Sequence, residues 1–277
     1  MVWIGLLVLS AAGIVWMLLE AFRVRVKKEE VVFEKLPAAF DGLRLFFISD
    51  IHRRAIPERL IELCQNEGGA DLVVIGGDIR EQGVPLHRIR DNIRQLRRLG
   101  PVYAVYGNHD YDESIRPVDE LLRQEQAVPL INESVVLNKG SDQLVLCGVD
   151  DPITGREVLQ GAFSFLNSHD KTSHDSPFTI LVSHDPNLID WLDGLPVDLM
   201  LSGHTHGGQI ALPLIGPLSR SSIVNKYCRG WFPAADSHSD TRTRLLVSCG
   251  FGTSRIPLRL LAPSETHLLI LRNRRVQ

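Results

Sequence analysis

A pair of histidines, His204 and His206, lies in the segment LSGHTHGGQ, directly after the apolar run VDLML. Residues at i and i+2 of an extended segment point to the same side, so both imidazoles can address one centre or two neighbouring centres. Imidazole is a frequent metal ligand and also a general acid or base. The pair therefore predicts metal binding or catalysis, with an ordinary glycine-rich turn as the alternative.

Polar residues of similar kinds follow four other apolar runs of the chain. They are Asp50 and His52, Asp78, Asn108 with His109, and His184. Strand ends in α/β sheets gather at one edge, where ligands bind and loops carry the chemistry. Each residue alone is consistent with a hydrogen-bonded turn, but the whole set at equivalent positions favours one functional site.

The residue types in this set suit divalent cations such as manganese, iron or zinc. The set contains no cysteine, which a purely structural zinc site would favour. A carboxylate shared by two cations about 3.5–4 Å apart is the usual core of a site that hydrolyses phosphate esters. Asp78 has the central place in this set, and the neighbouring glycines allow loops to approach ions without side-chain bulk.

The elements that must position these side chains are apolar runs alternating with amphipathic segments. Two segments have the helical spacing of apolar residues, 57–67 and HRIRDNIRQLRRLG. Three runs around them are typical of buried strands: LRLFFISD, ADLVVIGGD and PVYAVYGNHD. Shorter strands separated by turn residues follow later in the chain. This order predicts one compact α/β domain.

The chain resembles the calcineurin-like metallophosphoesterases in five motif blocks between residues 46 and 210: SDIH, GGDI, YGNHD, SHDP and SGHTHGGQ. The resemblance implies an α/β (α+β) fold of two facing mixed β-sheets flanked by helices. This four-layer sandwich would hold a dinuclear metal site at the strand ends. The implied cofactors are two divalent ions, with manganese expected and iron or zinc as alternatives.

The same resemblance implies a role for each residue of the set. One metal ion would be bound by Asp50, His52 and His206. The other ion would be bound by Asn108, His184 and His204, with Asp78 bridging the two. His109 corresponds to the catalytic histidine of the family, which contacts the scissile phosphate and protonates the leaving oxygen.

The segments after the site, GHTHGGQIALPLIGPL and GFGTSRIPLRLLAPSETHLLIL, further resemble a bacterial, membrane-associated branch of the family. Its members are phosphodiesterases, and a related group hydrolyses the pyrophosphate of UDP-2,3-diacylglucosamine. The resemblance implies in-line attack of a metal-bound hydroxide on a phosphodiester or pyrophosphate, in a lipid-linked or nucleotide-sugar substrate. A phosphomonoesterase or nuclease of the same fold is one alternative. A non-catalytic membrane scaffold is another, although the intact ligand set argues against it.

Several arginines are candidates for binding the substrate phosphates. Arg53 and Arg54 follow one metal motif and Arg80 follows another, and arginine binds phosphate in a bidentate manner. Arg255, in GFGTSRIP, is a further candidate on its resemblance to the membrane-associated branch. Ion pairing at the protein surface is the alternative role for these side chains.

The first 19 residues, MVWIGLLVLSAAGIVWMLL, carry no charged side chain. As a helix rising about 1.5 Å per residue, they nearly match a hydrocarbon core of about 30 Å. They predict a transmembrane anchor over residues 1–22, because a cleaved signal peptide, the alternative, needs a basic segment before the apolar run. A stalk with the first strand over 23–40 and a metallophosphoesterase domain over 41–277 complete the predicted organisation.

Basic residues cluster directly after the apolar segment: Arg23, Arg25, Lys27 and Lys28. The positive-inside bias places such a cluster in the cytoplasm. We therefore expect a single-pass membrane protein with a cytoplasmic catalytic domain, and an extracytoplasmic domain is the alternative.

The composition bounds the remaining classes of function. A chain of 277 residues that is 44% hydrophobic can bury a sizeable core. Its net charge of -3 provides no general attraction to nucleic acid, so we expect no specific nucleic-acid partner. The expected partners are a phosphate-ester or pyrophosphate substrate and, through the N-terminal segment, the membrane. The four cysteines show no CxxC spacing, and the sequence does not indicate an oligomeric state.

Overall fold

The computed structural model describes residues 1–168, 176–233 and 243–276. It begins with an apolar helix, α1 (Val2–Ala21), that is long and apolar enough to cross a membrane. Residues 2–16 of this helix are exposed, whereas the carbonyl of Met17 accepts a hydrogen bond from Arg259 N and both Glu20 and Ala21 are buried.

Fourteen strands follow within the described ranges. In chain order they are β1 (Val26–Phe33), β2 (Leu43–Ile48), β3 (Leu72–Gly76), β4 (Val102–Val105), β5 (Val128–Pro129), β6 (Glu133–Lys139), β7 (Asp142–Gly148), β8 (Phe178–Val182), β9 (Leu199–Ser202), β10 (Ala211–Leu212), β11 (Gly216–Pro217), β12 (Gly230–Pro233), β13 (Arg244–Val247) and β14 (Thr266–Asn273). The helices after α1 are α2 (Glu58–Asn66), α3 (Leu86–Arg97), α4 (Arg116–Gln124), α5 (Leu159–Ala162) and α6 (Ser222–Lys226).

Two mixed six-stranded sheets carry the fold. The first has the order β1-β14-β2-β3-β4-β5, and the second has the order β12-β13-β9-β8-β7-β6. In the first sheet β2, β3, β4 and β5 are parallel, while β14 runs antiparallel to β2. In the second sheet β7, β8, β9 and β13 are parallel, and β6 and β12 are antiparallel edge strands. Strand β1 pairs with β14 over its full length.

The two sheets face each other across a shared apolar core. Leu45 and Val74 of the first sheet pack there with Ile180 and Leu201 of the second. The outer face of the first sheet is covered by α2, α3 and α4, and short helical turns and α5 cover the outer face of the second. The predicted four-layer sandwich of two facing mixed sheets is confirmed.

The core strands are apolar without alternation because they are buried on both faces. All five residues of β3 and of β8 are buried, which is typical of parallel strands covered on both sides. The helices need only one apolar face. In α3 that face is formed by Ile89, Ile93 and Leu96, and the arginines of its last turn complement the helix dipole.

An ion-pair network ties the first sheet together close to its edge. The buried His267 on β14 lies with its Nδ1 3.1 Å from Glu29 Oε1 on β1, and with its Nε2 3.5 Å from Glu265 Oε1. Lys27 Nζ lies 2.5 Å from the other oxygen of Glu265. Burial opposes protonation of His267, but Glu265 and Glu29 raise its pKa above the usual value. The folded protein therefore favours the imidazolium form.

We expect replacement of His267 by Gln to destabilise the fold by about 1.5–3 kcal/mol near neutral pH, because the buried Glu265 loses one of its two cationic partners and keeps Lys27. A histidine whose pKa is raised on folding stabilises the folded state below its unfolded pKa, and this contribution is lost as the pH rises through the folded pKa. The gap in melting temperature between the native and His267→Gln proteins should therefore narrow at alkaline pH. Arg116→Gln, which breaks the exposed pair with Glu120, is the control with a small effect. A gap that widens at alkaline pH would contradict this assignment.

Candidate metal and phosphoester site

Each predicted site residue follows the carboxyl end of a parallel strand. Asp50 and His52 come after β2, Asp78 after β3, Asn108 and His109 after β4, His184 after β8, and His204 and His206 after β9. The first three strands belong to one sheet and the last two to the other. Because the sheets face each other, these loops meet at one edge of the sandwich, the position where ligands bind in such sheets.

The backbone at this edge is held in an unusual conformation. Five site residues have φ in the left-handed region: Asp50 (53°), His52 (51°), Asp78 (51°), His204 (70°) and His206 (51°). Such conformations cost about 1–3 kcal/mol each in non-glycine residues and persist mainly at functional sites. These conformations turn the side chains of the loops toward one another. The backbone strain therefore pre-organises the site.

Glycine allows the loops to come close enough. A Cβ at Gly203 would lie 2.5 Å from Asp50 Oδ2, and a Cβ at Gly107 would collide with Asp78 Oδ1. Side chains at these two positions would push apart the loops that carry the carboxylates.

Four side chains form a tight buried cluster that fits a cation. Asp50, His52, Asp78 and His206 each offer a ligand atom, and these atoms lie within 4.8 Å of one another. The Nε2 atoms of His52 and His206 are 3.0 Å apart, and His206 Nε2 is 3.4 Å from Asp50 Oδ1. Carboxylate and imidazole groups converging on one point are the donors that manganese, iron and zinc accept.

A second group of imidazoles also contacts Asp78. His184 Nε2 is 3.2 Å from Asp78 Oδ2, and His52 Nε2 is 3.5 Å from the same oxygen. The rings of His184 and His204 meet edge to face with centroids 5.1 Å apart. One carboxylate oxygen is therefore within 3.5 Å of an imidazole from each of the two groups.

Asn108 provides a further sign that the site fits a metal ion. Its Oδ1 is buried and accepts no hydrogen bond from the described part of the chain. Buried polar atoms in native proteins nearly always have a partner, so an unpartnered oxygen beside carboxylates and imidazoles fits the position of a metal ligand.

At His184 burial is outweighed by Asp78 and Asp50, which hold its pKa well above the usual value, but burial keeps the other three histidines of the ligand set neutral. It lowers the pKa of His52 to about 4 and that of His204 to about 3, and it also holds the pKa of His206 well below the usual value. Neutral imidazoles have a free lone pair for a metal ion at physiological pH.

The two carboxylates of the site differ in their ionisation. Burial raises the pKa of Asp50 to about 6, and the nearby Asp78 adds to the rise while His184 opposes it. Burial also opposes ionisation of Asp78, but His184 and His52 hold the pKa of Asp78 well below its usual value. Asp78 is therefore the carboxylate that stays anionic, and two buried carboxylates this close are best satisfied by cations.

His109 lies beside the ligand cluster rather than within it. Its backbone N–H donates to Asp78 Oδ1 at 2.9 Å, while its half-buried ring meets the ring of His52 edge to face at 5.3 Å. Its Nδ1 is 2.8 Å from Asp112 Oδ2, so Asp112 orients the imidazole. Burial opposes protonation of His109, but Asp78 and Asp112 raise its pKa. No sequence motif pointed to Asp112, whose spacing of three residues from His109 is the only available signal.

The arginines predicted to bind phosphate lie in different environments. Arg53 and Arg255 line a pocket of about 250 Å³ beside the loop of Asp50 and His52. Arg80 is buried, and its guanidinium binds Glu113 Oε2 at 2.9 Å and the carbonyl of Ser114 at 2.9 Å. These contacts favour a structural role for Arg80.

Arg54 links the site loops to the end of α1. It lines the same pocket, stacks over Phe251 with 3.8 Å from its Cζ to the ring centroid, and donates to the carbonyl of Phe22. Burial lowers the pKa of Arg54 to about 10. Ala21 and Phe22 also line the pocket, which therefore lies between the C-terminal end of α1 and the loop after β2.

Arg259 is a fully buried residue that sequence reasoning missed. Its guanidinium donates to the carbonyl groups of His206 at 3.2 Å and Cys249 at 2.7 Å. Its Nη2 lies 3.3 Å from His206 Nδ1, and its backbone N–H donates to the carbonyl of Met17 at 3.1 Å. Arg259 therefore links the second histidine of the HTH pair to α1. Its guanidinium contacts His206, and its backbone contacts Met17.

Carboxylates and imidazoles that converge at one edge of the two sheets fit a metal-dependent phosphoesterase. A sequence-family model of the calcineurin-like phosphoesterases matches residues 43–208, which is more than half of the chain. The chain belongs to the calcineurin-like phosphoesterase family and is a metal-dependent phosphoesterase.

Several relatives align with most of the length of this chain. The chain is 35% identical over 235 residues to the uncharacterized protein YpbG of Bacillus subtilis strain 168, covering 83% of this chain and 81% of the relative. It is 30% identical over 270 residues to a transmembrane protein with metallophosphoesterase domain of Danio rerio, covering 90% of this chain and 57% of the relative. It is 28% identical over 182 residues to phosphodiesterase YaeI of Escherichia coli strain K12, covering 62% of this chain and 64% of the relative.

A solved structure confirms the fold. The 5'-nucleotidase precursor of Thermus thermophilus superposes with a TM-score of 0.51 at 15% identity. The alignment covers 82% of this chain, which spans about half the length of that protein (54%). At this identity the likeness concerns the fold alone.

Proposed function

We propose that this protein is a membrane-anchored dinuclear phosphohydrolase that cleaves a phosphodiester or pyrophosphate bond. The observation that carries the proposal is the position of Asp78 Oδ2, 3.5 Å from His52 Nε2 and 3.2 Å from His184 Nε2. A carboxylate between two imidazole groups is placed to bridge two cations, which is the core of sites that hydrolyse phosphate esters.

The proposed ligands form two sets that share Asp78. Asp50, His52 and His206 would hold one ion, whereas Asn108, His184 and His204 would hold the other. Manganese is the proposed ion, and the same oxygen and nitrogen donors also accept iron or zinc. When bound, the two ions supply an activated water for in-line attack and neutralise the charge of the phosphoryl group.

The chain's own side chains would act around the phosphoryl group. His109 would donate a proton to the departing oxygen from Nε2, because Asp112 occupies its Nδ1. Arg53 and Arg255, on the wall of the neighbouring pocket, would hold other phosphate oxygens. Arg80 has a weaker claim to this role because it is buried against Glu113, whereas Arg53, which pairs with Glu81, is exposed at the pocket.

The pocket supports a lipid-linked or nucleotide-sugar phosphate as the substrate class. Its wall combines Phe22 at the end of α1 with the arginines Arg53, Arg54 and Arg255, so one side is apolar and close to the anchor and the other is cationic. The relative named phosphodiesterase YaeI supports a diester rather than a monoester.

The N-terminal helix supports membrane attachment. We propose an anchor over residues 1–22, a stalk with the first strand over 23–40 and a catalytic domain over 41–277. The exposed length of α1 and the relative named a transmembrane protein support this organisation.

The experiment that tests the proposed activity uses the full chain in detergent. Chelation should abolish hydrolysis, and Mn²⁺ should restore it, because charge neutralisation and water activation both depend on the ions. The substrates compared are a lipid-linked pyrophosphate, a nucleotide sugar, a nitrophenyl phosphodiester, a phosphomonoester and single-stranded DNA. Preference for the monoester or DNA would replace the proposed substrate class. A metal-loaded protein that hydrolyses none of them would indicate a scaffold.

We expect the catalytic domain to face the cytoplasm, since the basic cluster follows the apolar segment directly. Protease added to intact cells should then spare a C-terminal tag and should remove it after permeabilisation. Digestion of the tag in intact cells would place the domain outside the cytoplasm.

A further inference from the structure

Two surface loops meet beside the C-terminal end of α1. The first is the hairpin of β10 and β11, whose tip contains Leu214 and Ile215. The second is the loop 254–263. Their backbones are joined, because Ala211 N donates to the carbonyl of Leu260 at 2.8 Å and Leu260 N donates to the carbonyl of Gln209 at 3.0 Å. The two loops therefore form one unit.

This unit is attached to α1 at Met17, before the C-terminal end of the helix. Arg259 N donates to the carbonyl of Met17 at 3.1 Å, and Met17 lies four residues before the last residue of α1. At a rise of about 1.5 Å per residue, the attachment is about 6 Å along the helix axis from its C-terminal end. If α1 spans a bilayer, the loop unit lies at the depth of the last turn inside it.

The surface of the unit carries several exposed apolar side chains. Leu214 is fully exposed, while Ile215, Leu218, Ile256 and Leu261 are 69%, 52%, 48% and 51% exposed. We call these five residues the apolar patch. Five large aliphatic side chains on two joined loops are an unusual exposure for a water-facing surface.

Basic residues border the apolar patch. Arg255 and Arg220 are exposed beside it in sequence, and Arg23 follows α1 with its side chain 55% exposed. An apolar surface flanked by cationic side chains is typical of segments that lie in the boundary between lipid headgroups and acyl chains, where anionic lipids attract the cations.

We propose that the apolar patch is embedded in the lipid bilayer next to α1, so that the domain contacts the membrane at two places. This inference rests on the membrane anchoring proposed above and goes beyond it. The bilayer is favoured over a second protein because the loop unit is already fixed to α1 at bilayer depth through Met17. The pocket lined by Phe22, Arg255 and Pro257 then opens at the membrane surface, where it can receive a phosphate group carried by a lipid.

Spin labelling of the full chain in vesicles that contain anionic lipid tests the apolar patch. Labels are placed on Leu214→Cys and Ile256→Cys in a Cys228→Ser background, since the other three cysteines are buried. The matched control is Val136→Cys, an exposed aliphatic position (39%) on the distant edge strand β6. Collisions with dissolved oxygen and with a water-soluble nickel chelate are measured for each label.

We expect labels at Leu214 and Ile256 to collide more with oxygen and less with nickel than the label at Val136, because oxygen concentrates in the acyl region. Nickel collisions equal to those at Val136 would overturn the proposal. Shielding from both reagents would also overturn it, because that result indicates a protein partner or a second copy. Flotation of the vesicles separates the two proposals. Protein that floats with solvent-exposed labels overturns the apolar patch alone, whereas protein that does not float overturns the anchoring and the patch with it.

Discussion

Replacement of Asp78 by Asn is expected to empty both metal positions and to lower the rate of hydrolysis by more than about 10³-fold. The carboxylate oxygen that faces His52 and His184 becomes an amide group that carries no charge. Because Asp78 is the carboxylate that stays anionic, its charge is the one that both ions would share. The change therefore removes a ligand from two ions at once.

The substitution is conservative for the fold. An asparagine of the same shape can keep its Oδ1 as the acceptor for the backbone N–H of His109, the bond that Asp78 makes at 2.9 Å. Metal content is measured by elemental analysis of the purified protein, and circular dichroism checks that the fold is intact. Asp190→Asn, which breaks a surface pair with Lys226, is the control and should retain both ions and full activity. Two tightly bound ions in Asp78→Asn would show that Asp78 is not the bridge.

Replacement of His109 by Ala should impair chemistry while leaving the metal ions bound. The imidazole makes no ligand contact in the cluster of Asp50, His52, Asp78 and His206, and its Nδ1 is held by Asp112. Loss of a general acid typically costs about 10²–10⁴ in rate. We expect a loss in this range for substrates whose leaving group is an alkoxide, because an alkoxide departs poorly without a proton.

The leaving group separates the possible roles of His109. A nitrophenolate departs without protonation, so His109→Ala should hydrolyse a nitrophenyl diester far better than an alkyl diester. His87→Ala, which removes an exposed histidine on α3, is the matched control and should leave both rates unchanged. Equal losses for the two substrates, with the ions still bound, would mean that His109 positions or neutralises the phosphate instead of protonating the leaving oxygen.

The positions of the site residues along the chain could be predicted from the sequence. Apolar runs such as LRLFFISD and ADLVVIGGD end in Asp50 and Asp78, and the carboxyl ends of parallel strands meet at one edge of a sheet. That local rule needs no knowledge of side-chain contacts. The same is true of α1, whose apolar composition and length are properties of the first 22 residues alone.

The distances within the site could not be predicted from residue order. His52 and His206 are 154 positions apart in the chain, yet their Nε2 atoms are 3.0 Å apart because two separate sheets pack face to face. The family resemblance implied which residues share an ion, but the place of Asp78 Oδ2 between His52 and His184 depends on that packing.

The roles of the charged residues around the site were decided by tertiary contacts. Arg53 and Arg80 both follow metal motifs, but Arg53 lines the pocket whereas Arg80 is buried against Glu113. Asp112 and Arg259 carry no motif, and their importance arises from contacts with His109 and His206. The sequence by itself determined the order of the strands along the chain, the polar residues at their ends and the apolar helix. Only the tertiary structure decided which of these side chains converge, because convergence depends on the packing of residues that are far apart in the chain.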